Sequence, residues 1–430
     1  MKKIITLVLL IATVMMSAML LAGCSDVSHE LPMEENLSAA EVVSETKASS
    51  ETAATVPTKT VSTAETTTEK PVPEFATVSV VAVGDNLIHS SIYKQAAARD
   101  ENGGYDFGYA YKNVEGLIRR ADMAIINQET LICNDQFEPS TYPRFNSPAA
   151  LGDHMLNIGF DVFTIANNHT LDKDEAGLIA CLDYWDSRED AVVCGAYRNA
   201  EDRANIRTAE FGGITFSFLS YTESLNGLSL PAGSELSIGD AYDLETMKSE
   251  IAAAREISDV CVVALHWGVE DSDIISDYQR STAQILADAG ADIIIGNHPH
   301  VLRGIEELTC EDGSTALCAY SLGNFISAQS VGKNLIGGAL KFNVSIRIDE
   351  EAGEDRQPII GNIEFVPIIT HYDGNYHDVR LYPLSDYSRE LAESHGVKSM
   401  NRFGYDYIFE VLEKNISEEY FDPDDYYVSE

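Results

Sequence analysis

The feature that most constrains this chain is a repeated junction, in which a short apolar run ends abruptly in Asp, Asn, Glu or His. Val78-Val83 runs into Gly84-Asp85-Asn86, Met123-Ile126 into Asn127-Gln128-Glu129, and Val162-Ala166 into Asn167-Asn168-His169. Val260-Leu265 runs into His266-Trp267-Gly268, and Ile293-Ile295 into Gly296-Asn297-His298-Pro299-His300. Runs that are apolar at nearly every position and rich in β-branched residues suit strands buried on both faces. Helical spacing follows several of them. Phe107, Ala110, Tyr111, Val114, Leu117 and Ile118 recur with a helical period, and Ser147-Pro148 reads as N-cap and first helical residue. Further helices are predicted over Glu175–Trp185, Asp243–Ile257 and Tyr278–Ala289. Gly212-Gly213 marks a hairpin, and from Arg303 to Ile369 the chain reads as strands only. Repeated strand–loop–helix units followed by paired strands describe an α/β domain of stacked sheets covered by helices.

The residue types at these junctions are chemically selective. Asp, Glu, Asn and His are the hard-to-borderline ligands of divalent metals, and α/β folds bind ligands at the carboxyl ends of their strands. If the five strands share one parallel sheet, Asp85, Glu129, Asn168, His169, His266, His298 and His300 converge on one rim. Taken singly, each has a plain structural reading. Asp85 could cap a helix, Glu129 could be a solvated loop carboxylate, Asn167-Asn168 a turn and His266 a packed histidine. His298-x-His300 is more directive, because side chains at i and i+2 of an extended segment share a face. The coincidence of all five junctions points to a metal site.

The N-terminal part is of a different kind. Met1-Lys2-Lys3 precedes an apolar run from Ile4 to Leu21, and Leu21-Ala22-Gly23-Cys24 is similar to the lipobox of bacterial lipoproteins. That similarity implies a signal peptide over 1–23, lipidation of Cys24 and attachment at the extracellular face of the cytoplasmic membrane, where more than one acyl chain makes the anchor durable. Residues 24–75 are dominated by Ser, Thr, Ala and Glu and cannot bury enough apolar surface to order themselves, so they read as a disordered tether. The main domain is expected over 76–348, with 349–430 supplying strands and a tail that pack on it. The chain carries 29 Lys and Arg against 69 Asp and Glu, a formal charge of −40. Nucleic acid is thereby excluded as a natural partner, since phosphate binding needs clustered cations. A polyanionic substrate would need a locally positive site. Of the 7 cysteines, Cys310 and Cys318 flank a turn-like Glu311–Ser314 and could form a cross-strand disulfide or remain free thiols.

The motifs in order are Gly84-Asp85, Asn127-x-Glu129, Ala166-Asn167-Asn168-His169, His266-Trp267-Gly268-x-Glu270, Gly296-Asn297-His298-Pro299-His300-Val301 and Tyr320-Ser321-Leu322-Gly323-Asn324-Phe325. This series resembles the CapA family, associated with capsule and poly-γ-glutamate synthesis and similar to calcineurin-like metallophosphatases. The resemblance implies a four-layer α/β/β/α sandwich with a rim holding one or two divalent ions (Mn, Fe or Zn). It assigns Asp85, Glu129, Asn168, His266, His298 and His300 as ligands, with Glu129 between the metals, and His169 as the acid that protonates a leaving group. It also implies membrane subunits of a polymer synthesis or export complex as partners, and an anionic polymer or a phosphoester as substrate. The role is then either non-catalytic assembly or metal-dependent hydrolysis. Three departures stand out. Leu87 occupies the place of a metallophosphatase histidine, with His89 two residues further on. Glu129 replaces an aspartate, and Asp174 stands where the family commonly has glycine.

Overall fold

The structure, a computed structural model, describes residues 74–349 and 356–426. The expected signal segment 1–23, Cys24 and nearly all of the 24–75 tether lie outside the described residues. Among the described residues, no helix is long and apolar enough to cross a membrane.

The chain enters through β1 (Phe75–Asn86), crosses a helix α1 (Ser90–Arg99) and continues through β2 (Met123–Asn127), α2 (Ala149–Ile158), β3 (Val162–Thr164), α3 (Asp174–Asp186) and β4 (Val192–Cys194). After a short β5 (Ala196–Tyr197) come β6 (Arg207–Phe211), β7 (Ile214–Thr222) and β8 (Ser237–Ile238). Then follow α4 (Leu244–Arg255), β9 (Val260–His266), α5 (Asp277–Asp288), β10 (Ile293–Asn297), β11 (Leu302–Thr309), β12 (Thr315–Leu322) and β13 (Asn324–Ile326). Long strands β14 (Ile336–Arg347) and β15 (Ile359–Asp373), β16 (His377–Pro383) and a helix α6 (Tyr405–Asn415) complete it.

Two sheets result. The first has the order β16-β15-β14-β1-β2-β3-β4 with β13 added beside β1, and the second the order β11-β12-β10-β9-β7-β6. β1 to β4 are mutually parallel, as are β7, β9, β10 and β12. β1 crosses over β7, β10 and β12 of the other sheet. The strand period of two sorts the side chains between layers. Val262, Ile293, Ile295, Leu317 and Ala319 join Val80, Leu340 and Phe342 in the core between the sheets. Their neighbours Val263, Ile294, Cys318 and Tyr320 face the other way, with Met247 and Ile251 of α4 and Ala283 and Leu286 of α5. On the far side α2 and α3 cover the first sheet. The Tyr184 hydroxyl donates to Asp153 Oδ1 at 2.9 Å, and the Trp185 ring lies 4.4 Å from that of Phe163. The architecture is therefore the expected α/β/β/α sandwich.

Several local expectations are corrected. The five ligand-bearing strands do not share one sheet: β1, β2 and β3 belong to the first, β9 and β10 to the second. Their ends still meet, because the two sheets stack. The helical period of Phe107–Ile118 is split into Gly108–Tyr111 and Glu115–Ile118, and at the break the Asn113 amide donates to Leu381 O at 2.7 Å. The helix expected to start at Pro148 starts at Ala149, with Pro148 extended at ψ 150. Its first N–H is capped from a distance by Asp135 Oδ1 at 3.0 Å, while Ser147 Oγ pairs with Thr130 Oγ1 at 2.7 Å. For Cys310 and Cys318 the free-thiol alternative holds. The register sets Cys318 opposite Glu306, whereas Cys310 lies past the last pair, Thr309 opposite Thr315, so the two thiols cannot meet.

Candidate metal centre

Glu129 is the centre of the rim. It follows β2 directly, is 0% exposed, and neither carboxylate oxygen has a hydrogen-bond partner among the described residues. Three imidazoles face it. The Nε2 atoms of His266 and His300 lie 3.8 Å from Glu129 Oε1, and that of His169 lies 3.9 Å away. Asp85, Glu129 and His300 each present a ligand atom within 4.8 Å of the others.

The outer partners of these groups are as well defined as the groups themselves. Asp85, at the end of β1, accepts from His300 Nδ1–H at 3.0 Å and from Asn127 Nδ2 at 2.7 Å. The His298 backbone N–H approaches both oxygens of Asp85 at 3.4 Å. The same Asn127 amide donates to His266 Nδ1 at 3.3 Å, which leaves the His266 proton on Nε2, donated to Asn168 Oδ1 at 3.0 Å. His169 Nδ1–H donates to Asp172 Oδ2 at 2.7 Å, and its ring stands edge-on to Phe145 with centroids 4.7 Å apart. The His298 ring is 4.6 Å from that of His266, and its Nδ1 is buried without a partner.

A buried carboxylate without donors is costly unless a cation neutralises it. A divalent ion fits that demand here. It would gather the unpartnered Glu129 oxygens and His298 Nδ1, and would replace the proton now shared between His266 and Asn168. The electrostatics of the metal-free site agree. Burial and the neighbouring Asp85 push the Glu129 carboxyl well above the usual range. Burial also holds His266 well below its ordinary value and brings His298 down to about 4, helped in both by neighbouring imidazoles. His300 is the exception: burial alone would lower it, but Glu129 and Asp85 together push it up to about 10.

All seven residues expected at the rim are brought together, with two corrections to how. His298 and His300 do not sit on an extended segment. Both have positive φ, 96 and 58, so a left-handed turn aims the rings, whose centroids are 6.1 Å apart. Asp174, in the place commonly held by glycine, has φ 56, a region that Asp tolerates better than most residues. Leu87 is buried at 2% exposure. The Nδ1 of His89 accepts from Ala328 N at 3.2 Å, its ring packs edge-on against Phe145, and it is not one of the three residues whose ligand atoms cluster, Asp85, Glu129 and His300. Two residues that hold the rim were given no role from the sequence: Asn127, which stands in the second motif, and Asp172. Each lies within three residues of an expected site residue, but only the fold reveals which atom it holds.

The family model for "Bacterial capsule synthesis protein PGA_cap" matches residues 79–329. The PGA biosynthesis protein CapA of Bacillus subtilis (strain 168) is 29% identical over 262 residues, 59% of this chain and 64% of that protein. The capsule biosynthesis protein CapA of Bacillus anthracis is 30% identical over 175 residues, 40% of this chain and 41% of that one. The chain thus spans less than two thirds of either relative. Among solved structures, a hypothetical protein from Thermus thermophilus aligns over 66% of this chain and 98% of its own, at 15% identity and a TM-score of 0.36. The 5′-nucleotidase from Candida albicans SC5314 aligns over 66% and 50%, at 12% identity and 0.33. The matched span 79–329 contains the whole rim, from Asp85 to His300, and the chain belongs to the bacterial capsule synthesis protein family, PGA_cap.

Proposed function

We propose that this protein is a lipid-anchored, divalent-metal-binding component of capsule or poly-γ-glutamate synthesis or export, working at the extracellular face of the cytoplasmic membrane. The observation that carries the metal assignment is Glu129, fully buried with both oxygens unpartnered amid three imidazoles. Glu129, Asn168, His266, His298, His300 and Asp85 would hold Mn, Fe or Zn. Such an ion supplies Lewis acidity and a local positive charge. On a chain of formal charge −40, that charge is what would let an anionic polymer approach the rim. The polymer role rests on the family and on the names of the two Bacillus relatives. The expected partners are the membrane through Cys24 and membrane subunits of a synthesis or export complex, and nucleic acid is not among them.

A second reading, metal-dependent hydrolysis of a phosphoester or of another envelope substrate, is favoured by one observation. His169 is held by Asp172 with Nδ1 as donor, which leaves Nε2 directed to the centre. Asp172 would stabilise an imidazolium at His169, whose second proton, on Nε2, is the one a general acid there would give to a leaving group.

Complementation of a strain lacking the protein separates the two readings. His298→Ala is expected to abolish polymer production under both. If His169→Ala restores production fully, the hydrolytic reading falls, and if His298→Ala also does, the metal reading falls. For the anchor, Cys24→Ala is expected to abolish incorporation of labelled palmitate. Absence of label in the wild type would overturn the lipoprotein assignment.

A further inference from the structure

Arg303 is buried at 1% exposure, yet no described carboxylate lies within ion-pair distance of it. Asp273 and Glu223 act on it from further off, and a buried cation held at that distance from its counter-charges is costly unless hydrogen bonds replace its hydration. Here they do. Nε donates to Ser272 O at 2.9 Å, Nη2 to Val269 O at 3.0 Å and Nη1 to Gln279 Oε1 at 2.7 Å. Ser272 and Val269 belong to the loop that follows His266, and Gln279 to the first turn of α5. Arg303 itself stands three residues beyond His300, near the start of β11. Its planar fork therefore joins the two histidine-bearing loops, and Asp271 N–H closes the joint on Pro299 O at 3.0 Å.

Gly268 gives an independent observation. It has φ 91, and a Cβ there would lie 2.5 Å from Arg303 Nη1 and 2.9 Å from Gln279 Nε2. The His-Trp-Gly sequence after β9 is thus explained by a guanidinium lying against a bare α-carbon. Glu270 rides on the same loop, exposed, and acts electrostatically on both Glu129 and His300.

We infer that Arg303 is a positioning residue of the metal centre, holding the His266 loop and the His298–His300 turn at a fixed separation so that their imidazoles face Glu129 before a metal arrives. The inference rests on the metal-centre reading above. A lysine could not do the same, because a point charge on a flexible stem cannot satisfy three acceptors in a fork.

The test compares the full chain with Arg303→Gln, Arg303→Lys and Gly268→Ala, measuring Mn²⁺ affinity by electron paramagnetic resonance and amide exchange in the metal-free proteins. Loss of an outer-shell partner of this kind weakens metal binding by about 10–100-fold. That loss is expected in all three variants, together with faster exchange over 267–276 and unchanged exchange in β12. Wild-type affinity and exchange in folded variants would overturn the inference, as would full recovery with lysine. If Arg303→Gln does not fold, Gly268→Ala, which keeps the arginine, decides. A wild type that binds no Mn²⁺ or Zn²⁺ overturns the metal reading itself. Exchange over 267–276 then still tests the clamp.

Discussion

His169 and Asp172 form a buried pair, Nδ1 to Oδ2 at 2.7 Å, within a turn that follows β3. The carboxylate holds the Nδ1 proton and turns Nε2 toward Glu129, where the acid role requires a second proton on Nε2, in an imidazolium that Asp172 stabilises. If the centre is hydrolytic, His169→Ala should lower turnover of a chromogenic phosphodiester by about 10²–10⁴-fold, the usual contribution of a positioned acid. Asp172→Asn should lower it less, and neither should change metal content. Loss of metal in His169→Ala would make the residue a ligand instead.

The metal positions are expected to be unequal. Glu129, Asn168, His266 and His298 can serve one ion, whereas the second would have only Asp85, Glu129 and His300, with Leu87 buried alongside and His89 committed to Ala328 and Phe145. Elemental analysis should find one tightly held ion per chain, and Leu87→His should raise the content toward two. Two tight ions in the wild type would refute the inequality.

The pH dependence of metal binding follows from His300. In the metal-free protein its pKa lies at about 10, because Glu129 and Asp85 outweigh burial, while His298 lies at about 4. At neutral pH the incoming ion must therefore displace proton from the coupled Glu129–His300 pair but none from His298. Titration calorimetry in buffers of differing ionisation heat should register net proton release on binding, with affinity rising as pH rises. His300→Ala should lower the release. The sign for stability is the reverse. A folded pKa raised above the unfolded 6.5 contributes stability in full below pH 6.5, and that contribution is lost as pH rises through about 10. The metal-free protein should melt earlier in that window.

Gly84 packs against the Gly323 turn: a Cβ at 84 would lie 1.8 Å from Gly323 O, and Asp85 N–H donates to the same oxygen at 3.0 Å. Gly84→Ala should cost about 1–3 kcal/mol, the usual penalty of overpacking, or more. It should also displace Asp85 and weaken metal binding. A thermal melt matching wild type would mean that the turn yields freely.

The amino-acid sequence by itself determined which residues gather at the rim. Burial on both faces forces β1, β2, β3, β9 and β10 to be continuous apolar runs, so a polar residue directly after each one stands out locally, and all seven rim residues were legible for that reason. Helix limits were legible where a cap is local, as at Asp243, whose side chain accepts from Thr246 N. They shifted where the cap is remote, as with Asp135 at the start of α2. Tertiary structure alone decided the rest. The division of the ligand strands between two sheets depends on which strands pair across long stretches of chain, and period-two patterning does not encode the partner. The left-handed turn at His298 and His300, the diversion of His89, and the roles of Asn127, Asp172 and Arg303 all arise from groups remote in sequence or from backbone geometry. A buried polar atom must find its partner wherever packing places one, and that choice is made only when the layers close.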